Sequence, residues 1–289
     1  FSKRYDQATE GSREIVIVDT GCGTSSKTDD EIASVWGLGR SSESKHNNTN
    51  EMYGVFGIGL KASVMKLAKV ATFTSRNSVE DEFKTSIYSP MAQRATGEWK
   101  IPVFDTMDKL EDTEAWAVNK YLKNSVGSVV VLKGIHEDFP VNITRLYTNL
   151  GKSLPRIYRG DLKKGLYDFY LGAHDTCLSE KDAIDPLSSQ SKVGETKWYV
   201  GGENHFETFD YKGFPYSVRV SHTEKGSARN AKSKNNDTLG SGIRGFYKRG
   251  VYFLRNGREI GIETGDSAGY WSSLPSTSNF FVEVDFKDD

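Results

Sequence analysis

Short apolar runs separated by glycine and polar residues dominate the first half of the chain. "REIVIVD" predicts a strand over Glu14–Val18 that leads into Asp19, and "VATFTSR", "FKTSIYS" and "SVGSVVVLKG" predict three more, the last of them buried. "TDDEIASVWGLG" predicts a short helix with Thr28 as N-cap, and Glu31 stands three residues later to complete a capping box. This mixture of strands and helices predicts an α/β domain.

A second helix is predicted directly after a glycine-rich stretch, "YGVFGIGLKASVMKLAKV". The polar segment before it, residues 40–50, lacks apolar periodicity and is typical of a surface loop. Pro102–Ser125 is expected to be irregular. The predicted helix carries one apolar face, formed by Leu60, Val64, Leu67 and Ala68.

The pattern changes after "HEDFP". A helix is predicted from Ile143 to a break near Pro155, and strand-like segments dominate from there onward. Asn256-Gly257, between two apolar runs, predicts a two-residue hairpin turn. The sequence therefore predicts two domains, an α/β domain over residues 1–138 and a mostly β domain with a helix over residues 139–289.

Composition narrows the class of protein. The 289 residues are 36% hydrophobic and 27% charged, which favours a soluble folded protein, and no apolar run is long enough for a membrane span. The two cysteines, Cys22 and Cys177, lie far apart, which favours a reducing compartment, cytoplasmic or nuclear, and argues against a zinc site. The net charge is −1, but Lys225–Arg258 holds nine lysines and arginines against one acid, Asp237.

Two glycine motifs point to nucleotide chemistry. In Asp19-Thr-Gly21-Cys-Gly23, a carboxylate at the end of a strand can accept from an exocyclic amine, and the glycines allow a flat ligand to approach the backbone. A tight turn with a solvated aspartate is the alternative. Ser128, which enters a buried strand, could bond the Asp19 carboxylate or a water beside the base, or could merely begin the strand.

The second motif is the glycine run before the predicted helix. Free N–H groups at a helix N-terminus, together with the helix dipole, form an anion site suited to polyphosphate, and Lys61 can add a full charge. The spacing Gly54-x-x-Gly57-x-Gly59 is neither a Walker motif nor a Rossmann fingerprint. Taken alone, the run could be an ordinary glycine-flanked turn.

The order of these motifs over Glu14–Leu132 resembles the GHKL ATPase superfamily of gyrase, the ninety-kilodalton heat-shock chaperone, histidine kinase and MutL. Within it, the segment from "WGLGRSSES" to "FTSR" looks most like the MORC and heat-shock-chaperone branch. The resemblance implies a Bergerat-type ATP-binding sandwich of helices on a mixed sheet. "IDPL" and "GVYFLRNGREI" more weakly resemble the ribosomal-protein-like α/β transducer domain that follows this module in MutL, the chaperones and MORC proteins.

The resemblance also implies ATP and Mg²⁺ as ligands, a lid over residues 40–50, and a homodimer that forms on ATP binding. Asp19 would accept from the adenine amine, Gly23 would let the base sit against the backbone, and Ser128 would support Asp19. The implied nucleotide-binding set is Asp19, Gly21, Gly23, Arg40, Ser41, Gly54, Val55, Phe56, Gly57, Ile58, Gly59, Leu60, Lys61 and Ser128.

One family motif is missing from this chain. The family carries a helix before its first strand with a glutamate that activates water and an asparagine that holds Mg²⁺, but the residues before Glu14 contain Glu10 and no Glu-x-x-x-Asn pair. The catalytic residues are therefore unassigned. Either the chain is a fragment trimmed at both ends, or it is a degenerate ATPase that binds without hydrolysing. Lys248, Arg255 and Arg258 are candidate cations for the γ-phosphate.

The function that these observations favour is an ATP-gated conformational clamp, with DNA or chromatin as its expected substrate through the basic block Lys225–Arg258. A solvated loop is the plain alternative for that block. A chaperone-like or scaffold protein, whose degenerate nucleotide site serves protein–protein interaction, is the alternative function. A β-rich binding module with accidental glycine motifs is the third.

Overall fold

The computed structural model describes residues 13–37, 59–97, 100–106, 113–136, 139, 142–166, 168–172, 176–179, 183, 192–193, 196–197, 200–223, 250–264 and 280–286. The chain forms two compact units and passes from the first to the second between Ile143 and Thr144, slightly beyond the boundary predicted at residue 138. Each unit has a five-stranded sheet and helices of its own.

An antiparallel sheet forms the centre of the first unit. The resemblance predicts a mixed sheet, but every neighbouring pair of its described strands is antiparallel. The strand nearest the end of this unit, Gly127–Ile135, lies between the first two strands of the unit and runs opposite to both. The α/β sandwich and the four predicted strands are confirmed. In spatial order the strands are β1 (Glu14–Asp19), β5 (Gly127–Ile135), β2 (Ala68–Arg76), β3 (Lys84–Tyr88) and β4 (Val103–Asp105).

Short helices pack around this sheet. None of the helices in the described part of the chain is long and apolar enough to cross a membrane. The helices of the first unit are α1 (Asp29–Ala33), followed by a 3₁₀ turn (Ser34–Trp36), α2 (Gly59–Leu67), α3 (Pro90–Thr96) and α4 (Thr113–Ala117), followed by a π-helical turn (Val118–Leu122).

The predicted capping box at the start of α1 is confirmed. The Thr28 hydroxyl oxygen accepts from the Glu31 amide at 3.3 Å, and the Glu31 carboxylate accepts from the Thr28 amide at 3.0 Å. Hydrogen bonds from the Ser25 hydroxyl and from Thr28 lower the pKa of the Glu31 carboxyl below its ordinary value of 4.5. Two backbone donors at the helix start are thereby satisfied, which fixes where α1 begins.

The prediction of an irregular spacer over Pro102–Ser125 is wrong. The spacer contains β4, α4 and the π-helical turn. Ala115, Val118 and Leu122 recur at helical spacing and are buried, so burial of this face favours helix although charged and polar residues surround it.

The two faces of the first sheet carry different partners. One face packs against α1, α2 and the 3₁₀ turn, and we call it the α2 face. The opposite face packs against α4 and the π-helical turn. The α2-face core is formed by Ile32, Trp36, Val64, Ala68, Ala71, Phe73, Tyr88, Leu132 and Ile135.

The described part of the second unit contains two helices and a mixed five-stranded sheet. The order of the sheet is β10-β11-β14-β12-β13, and β12 and β14 are its one parallel pair among the described strands. Two small hairpins, β6–β7 and β8–β9, lie outside this sheet. The elements are α5 (Ile143–Ile157), α6 (Arg159–Lys163), β6 (Phe169–Leu171), β7 (Thr176–Leu178), β8 (Lys192–Val193), β9 (Thr196–Lys197), β10 (Val200–Tyr211), β11 (Phe214–Thr223), β12 (Gly250–Arg255), β13 (Arg258–Thr264) and β14 (Phe280–Phe286).

Two local predictions in this unit have opposite outcomes. The prediction of a helix break near Pro155 is wrong. Helix α5 continues through the proline to Ile157, and the Tyr158 amide still donates to the Leu154 carbonyl at 2.9 Å. The hairpin turn at Asn256-Gly257 is confirmed, with φ angles of 53° and 85° that a type I′ turn requires.

Candidate nucleotide-binding site

Asp19 is the last residue of β1 and is exposed on the α2 face. In the strand register Asp19 lies opposite Ser128 of β5, and Ser128 lies opposite Ser75 of β2. Because side chains opposite one another in antiparallel strands share a face, the carboxylate and the two hydroxyls form one polar row across three strands. We call Asp19, Ser128 and Ser75 the Asp19 row.

The Asp19 carboxylate is oriented by the loop that follows it. Its Oδ1 accepts a hydrogen bond from the Gly21 amide at 2.9 Å. A Cβ at Gly21 would lie 3.1 Å from the same oxygen, which is tighter than most real contacts. Glycine at this position therefore leaves the carboxylate uncrowded and oriented by a backbone amide.

Two glycines next to the Asp19 row, Gly23 and Gly127, lie unusually close to the backbone of neighbouring strands. Gly23 has φ +67°, and a Cβ there would lie 2.1 Å from the Arg76 carbonyl oxygen. Gly127 has φ +147°, and a Cβ there would lie 2.4 Å from the Asp19 carbonyl oxygen. Both positions therefore require glycine for the fold itself. The role predicted for Gly23, contact with the base, remains a prediction beside this structural reason.

The predicted phosphate residues that the structure describes lie at the start of α2. Gly59 is its first residue, is exposed, and has open space where a Cβ would stand. Leu60 packs against the α2-face core. Lys61 is only 1% exposed, its ammonium donates to the Gly37 carbonyl, and burial lowers its pKa. A phosphate contact by Lys61 would therefore require this internal bond to be exchanged.

Several predicted residues lie outside the described part of the chain. They are Glu10, the lid over residues 40–50 with Arg40 and Ser41, the stretch Gly54, Val55, Phe56, Gly57 and Ile58, and Lys248 with most of the basic block. Of the block, Arg255 and Arg258 are described, and the Arg258 guanidinium lies 4.6 Å from the Tyr158 ring centroid. Among the described residues, no group of three or more His, Cys, Asp and Glu side chains could hold a metal ion.

Two residues near Asp19 were not identified from the sequence. Ser75 is fully buried and contacts Ser128, yet it reads as one more polar residue in a strand. Ile17 precedes Asp19 by two residues, so it lies on the same face, and it is 53% exposed. The alternation of β1 could have placed Ile17 beside Asp19, but only the strand register could have placed Ser75 there.

The antiparallel sheet covered by helices, with a carboxylate and a glycine loop at the end of β1, defines the first unit as an α/β sandwich domain of the GHKL type. Residues 4–126 match the family described as histidine kinase-, DNA gyrase B-, and HSP90-like ATPase. This segment is similar to the ATP-binding modules of that family. A search of curated proteins found no match to the chain.

Proposed function

We propose that this chain is the nucleotide-binding part of an ATP-gated conformational clamp. The observation that carries the proposal is the exposed Asp19 carboxylate, which accepts from the Gly21 amide and lies opposite Ser128. Asp19 and Gly21 lie inside the segment, residues 4–126, that matches an ATPase family. In this proposal the Asp19 carboxylate accepts from the exocyclic amine of adenine. Ile17, exposed on the same face, supplies apolar contact for the flat base.

The phosphates would lie at the start of α2. Amides at the N-terminus of this nine-residue helix have no partner within the helix, and the helix dipole favours an anion there. Gly59 leaves room for close approach. Mg²⁺ would arrive with the phosphates, since it is held largely by phosphate oxygens and water. No residue is assigned to Mg²⁺, and no hydrolytic residue is assigned in this chain.

ATP binding at this site can be tested by protection of Cys22. Cys22 stands between Gly21 and Gly23 and is exposed, while Cys177 is half-buried in the second unit. In a Cys177→Ser background, we expect a saturating non-hydrolysable ATP analogue with Mg²⁺ to slow alkylation of Cys22. At 100 times the dissociation constant only about 1% of sites are free, so the slowing can approach 100-fold.

The reciprocal variant supplies the control. In a Cys22→Ser chain the analogue should slow alkylation of Cys177 far less than it slows that of Cys22, because Cys177 lies in β7 of the second unit and outside the proposed nucleotide site. An unchanged rate at Cys22 under saturating analogue would contradict the proposed site.

The clamp part of the proposal concerns the second unit and the basic block. A transducer-like second unit would move with the first when ATP orders the lid and two protomers associate, provided that ATP binds the closed state more tightly than the open one. Nine cations over Lys225–Arg258 fit the phosphate backbone of DNA. The alternative, a scaffold or chaperone-like protein with a degenerate nucleotide site, predicts no such binding.

DNA binding can be measured by fluorescence anisotropy with a duplex of about 30 base pairs. If six or more cations of the block contact phosphates, affinity should fall by about a thousandfold between 50 and 200 mM salt. Replacing Lys232 and Lys234 by Glu should weaken binding and flatten the salt dependence, whereas Lys66→Glu, on the exposed side of α2, should not. No binding at 50 mM salt would contradict the DNA clamp and favour the scaffold.

A further inference from the structure

The Ser75 hydroxyl of the Asp19 row makes three hydrogen-bond contacts. The Ser75 side chain is fully buried, and three groups from two segments, the loop after Asp19 and β5, contact its oxygen. The Thr24 amide, in the loop after Asp19, donates to it at 2.7 Å. The Gly127 carbonyl oxygen lies 2.8 Å away, and the Ser128 hydroxyl oxygen lies 2.9 Å away.

The number of protons fixes the direction of these bonds. A carbonyl oxygen can only accept, so the single proton of the Ser75 hydroxyl goes to Gly127. The Thr24 amide can only donate, so it uses one lone pair of the Ser75 oxygen. The remaining contact is then a bond in which the Ser128 hydroxyl donates to Ser75. Each group is satisfied in this arrangement, as buried polar groups require.

This direction determines what Ser128 can offer to a ligand. With its proton committed to Ser75, the Ser128 oxygen can only accept, and the Asp19 carboxylate opposite it is also an acceptor. Ser128 therefore does not donate to Asp19 directly. A group that brings two protons, such as an exocyclic amine or a bridging water, can satisfy both acceptors, whereas a carbonyl places lone pairs against both.

We propose that Ser75 is a positioning residue that holds Ser128 as a hydrogen-bond acceptor and so makes the Asp19–Ser128 pair select a base with an amine over a base with a carbonyl. The inference rests on the proposed nucleotide site and adds its specificity. Ser75 acts through Ser128, and it also anchors the loop after Asp19 through Thr24.

The test compares the dissociation constants of adenosine diphosphate and inosine diphosphate, measured by calorimetry. Inosine carries a carbonyl in place of the amine of adenosine, and the use of diphosphates avoids hydrolysis during the measurement. The parent chain should bind the adenine nucleotide about 100-fold more tightly, because the carbonyl leaves two acceptors, Asp19 and Ser128, unsatisfied and each such contact typically costs about tenfold. In Ser75→Ala the Ser128 proton is released and can turn toward the carbonyl. We therefore expect the ratio of the two dissociation constants to fall by about tenfold.

Ser86→Ala is the matched control. Ser86 is also a fully buried serine on the α2 face, but its oxygen accepts from the Trp36 indole at 2.9 Å and lies outside the Asp19 row. Its loss should lower stability without changing the ratio. If Ser75 had only a structural role, Ser75→Ala would likewise lower stability or weaken binding of both nucleotides equally. The ratio of their dissociation constants would then stay unchanged.

Ser128→Ala keeps the proposal testable if Ser75→Ala does not fold. If Ser128 is an acceptor, its removal weakens adenosine diphosphate binding and leaves inosine diphosphate binding equal or tighter. Weaker binding of the inosine nucleotide would show that Ser128 donates, and would overturn the inference. An unchanged ratio in a folded Ser75→Ala chain would overturn it while leaving the nucleotide site intact. A parent chain that binds neither nucleotide would overturn the proposed function and this inference with it.

Discussion

Replacing Gly23 with alanine is expected to lower the free energy of unfolding of the first unit by about 3 kcal/mol or more. Two costs combine at this position. A side chain at φ +67° is strained, and its Cβ would lie 2.1 Å from the Arg76 carbonyl oxygen, where neither backbone can move without displacing the end of β2. Urea unfolding, with hydrogen exchange to assign the loss to the first unit, measures the effect.

Gly97→Ala separates the two costs. Gly97 is the C-cap of α3, has nearly the same φ of +68°, and has open space around the position of a Cβ. Alanine there should cost only the left-handed conformation, about 1 kcal/mol. If Gly23→Ala is no more destabilising than Gly97→Ala, the result would contradict the close approach of Gly23 to the Arg76 carbonyl at the end of β2.

The second large effect is expected at Arg159 in the second unit. Its side chain is 3% exposed, and its guanidinium bonds the carboxylates of Glu259, at 3.1 Å, and Glu283, at 2.5 Å. Arg159→Met would leave the buried Glu259 and the half-buried Glu283 with one arginine partner each, Arg156 and Arg219. Removal of one partner from a buried pair typically costs about 3–5 kcal/mol, so we expect a cost near the lower end of that range. Hydrogen exchange at the amides of β12 and β14 would locate the loss in this unit.

The loss at Arg159 should depend on pH in a defined direction. Burial raises the pKa of the Glu259 carboxyl, and Arg156 and Arg159 oppose that rise. Removing Arg159 raises the folded-state pKa further above 4.5, so the variant is least stable above that pKa and recovers stability as the pH falls toward 4.5.

Arg219→Met is the control for charge and size. Arg219 also bonds Glu283, at 3.0 Å, but its side chain is 22% exposed and Arg159 still pairs both acids in its absence. Its loss should cost about 1 kcal/mol. Equal costs for the two variants, or no pH dependence in Arg159→Met, would contradict the account of this buried network.

Local signals in the sequence predict many elements of the fold. The apolar run of β1, the capping box of Thr28 and Glu31, and the Asn256-Gly257 turn each depend on neighbouring residues, and each is confirmed. The second I′-type turn, Lys212-Gly213 between β10 and β11, has the same left-handed φ angles but was not predicted, because lysine is an uncommon first residue for it.

Features that depend on contacts distant in sequence could not be predicted in the same way. Ser75 and Ser128 meet only because β2 and β5 pair in one register. Lys61 was expected at the phosphates from its place in the first turn of α2, whereas the structure buries it against the Gly37 carbonyl. Helix periodicity identifies an apolar stripe but does not determine where a long side chain at its border points.

The Asp19→Asn variant tests the central claim most directly, by calorimetry with a non-hydrolysable ATP analogue and Mg²⁺. The asparagine side-chain oxygen can still accept from the Gly21 amide, so the loop is retained, but the charge and one acceptor oxygen are lost. Asp29→Asn is the matched control, since it removes an exposed carboxylate that pairs with Lys84 at 2.7 Å in the same unit.

We expect Asp19→Asn to weaken binding of the analogue by about 10- to 100-fold, the usual worth of a hydrogen bond to a charged group, and Asp29→Asn to leave it unchanged. If Asp19→Asn binds the analogue as tightly as the parent chain does, Asp19 does not read the base and the proposed site is wrong.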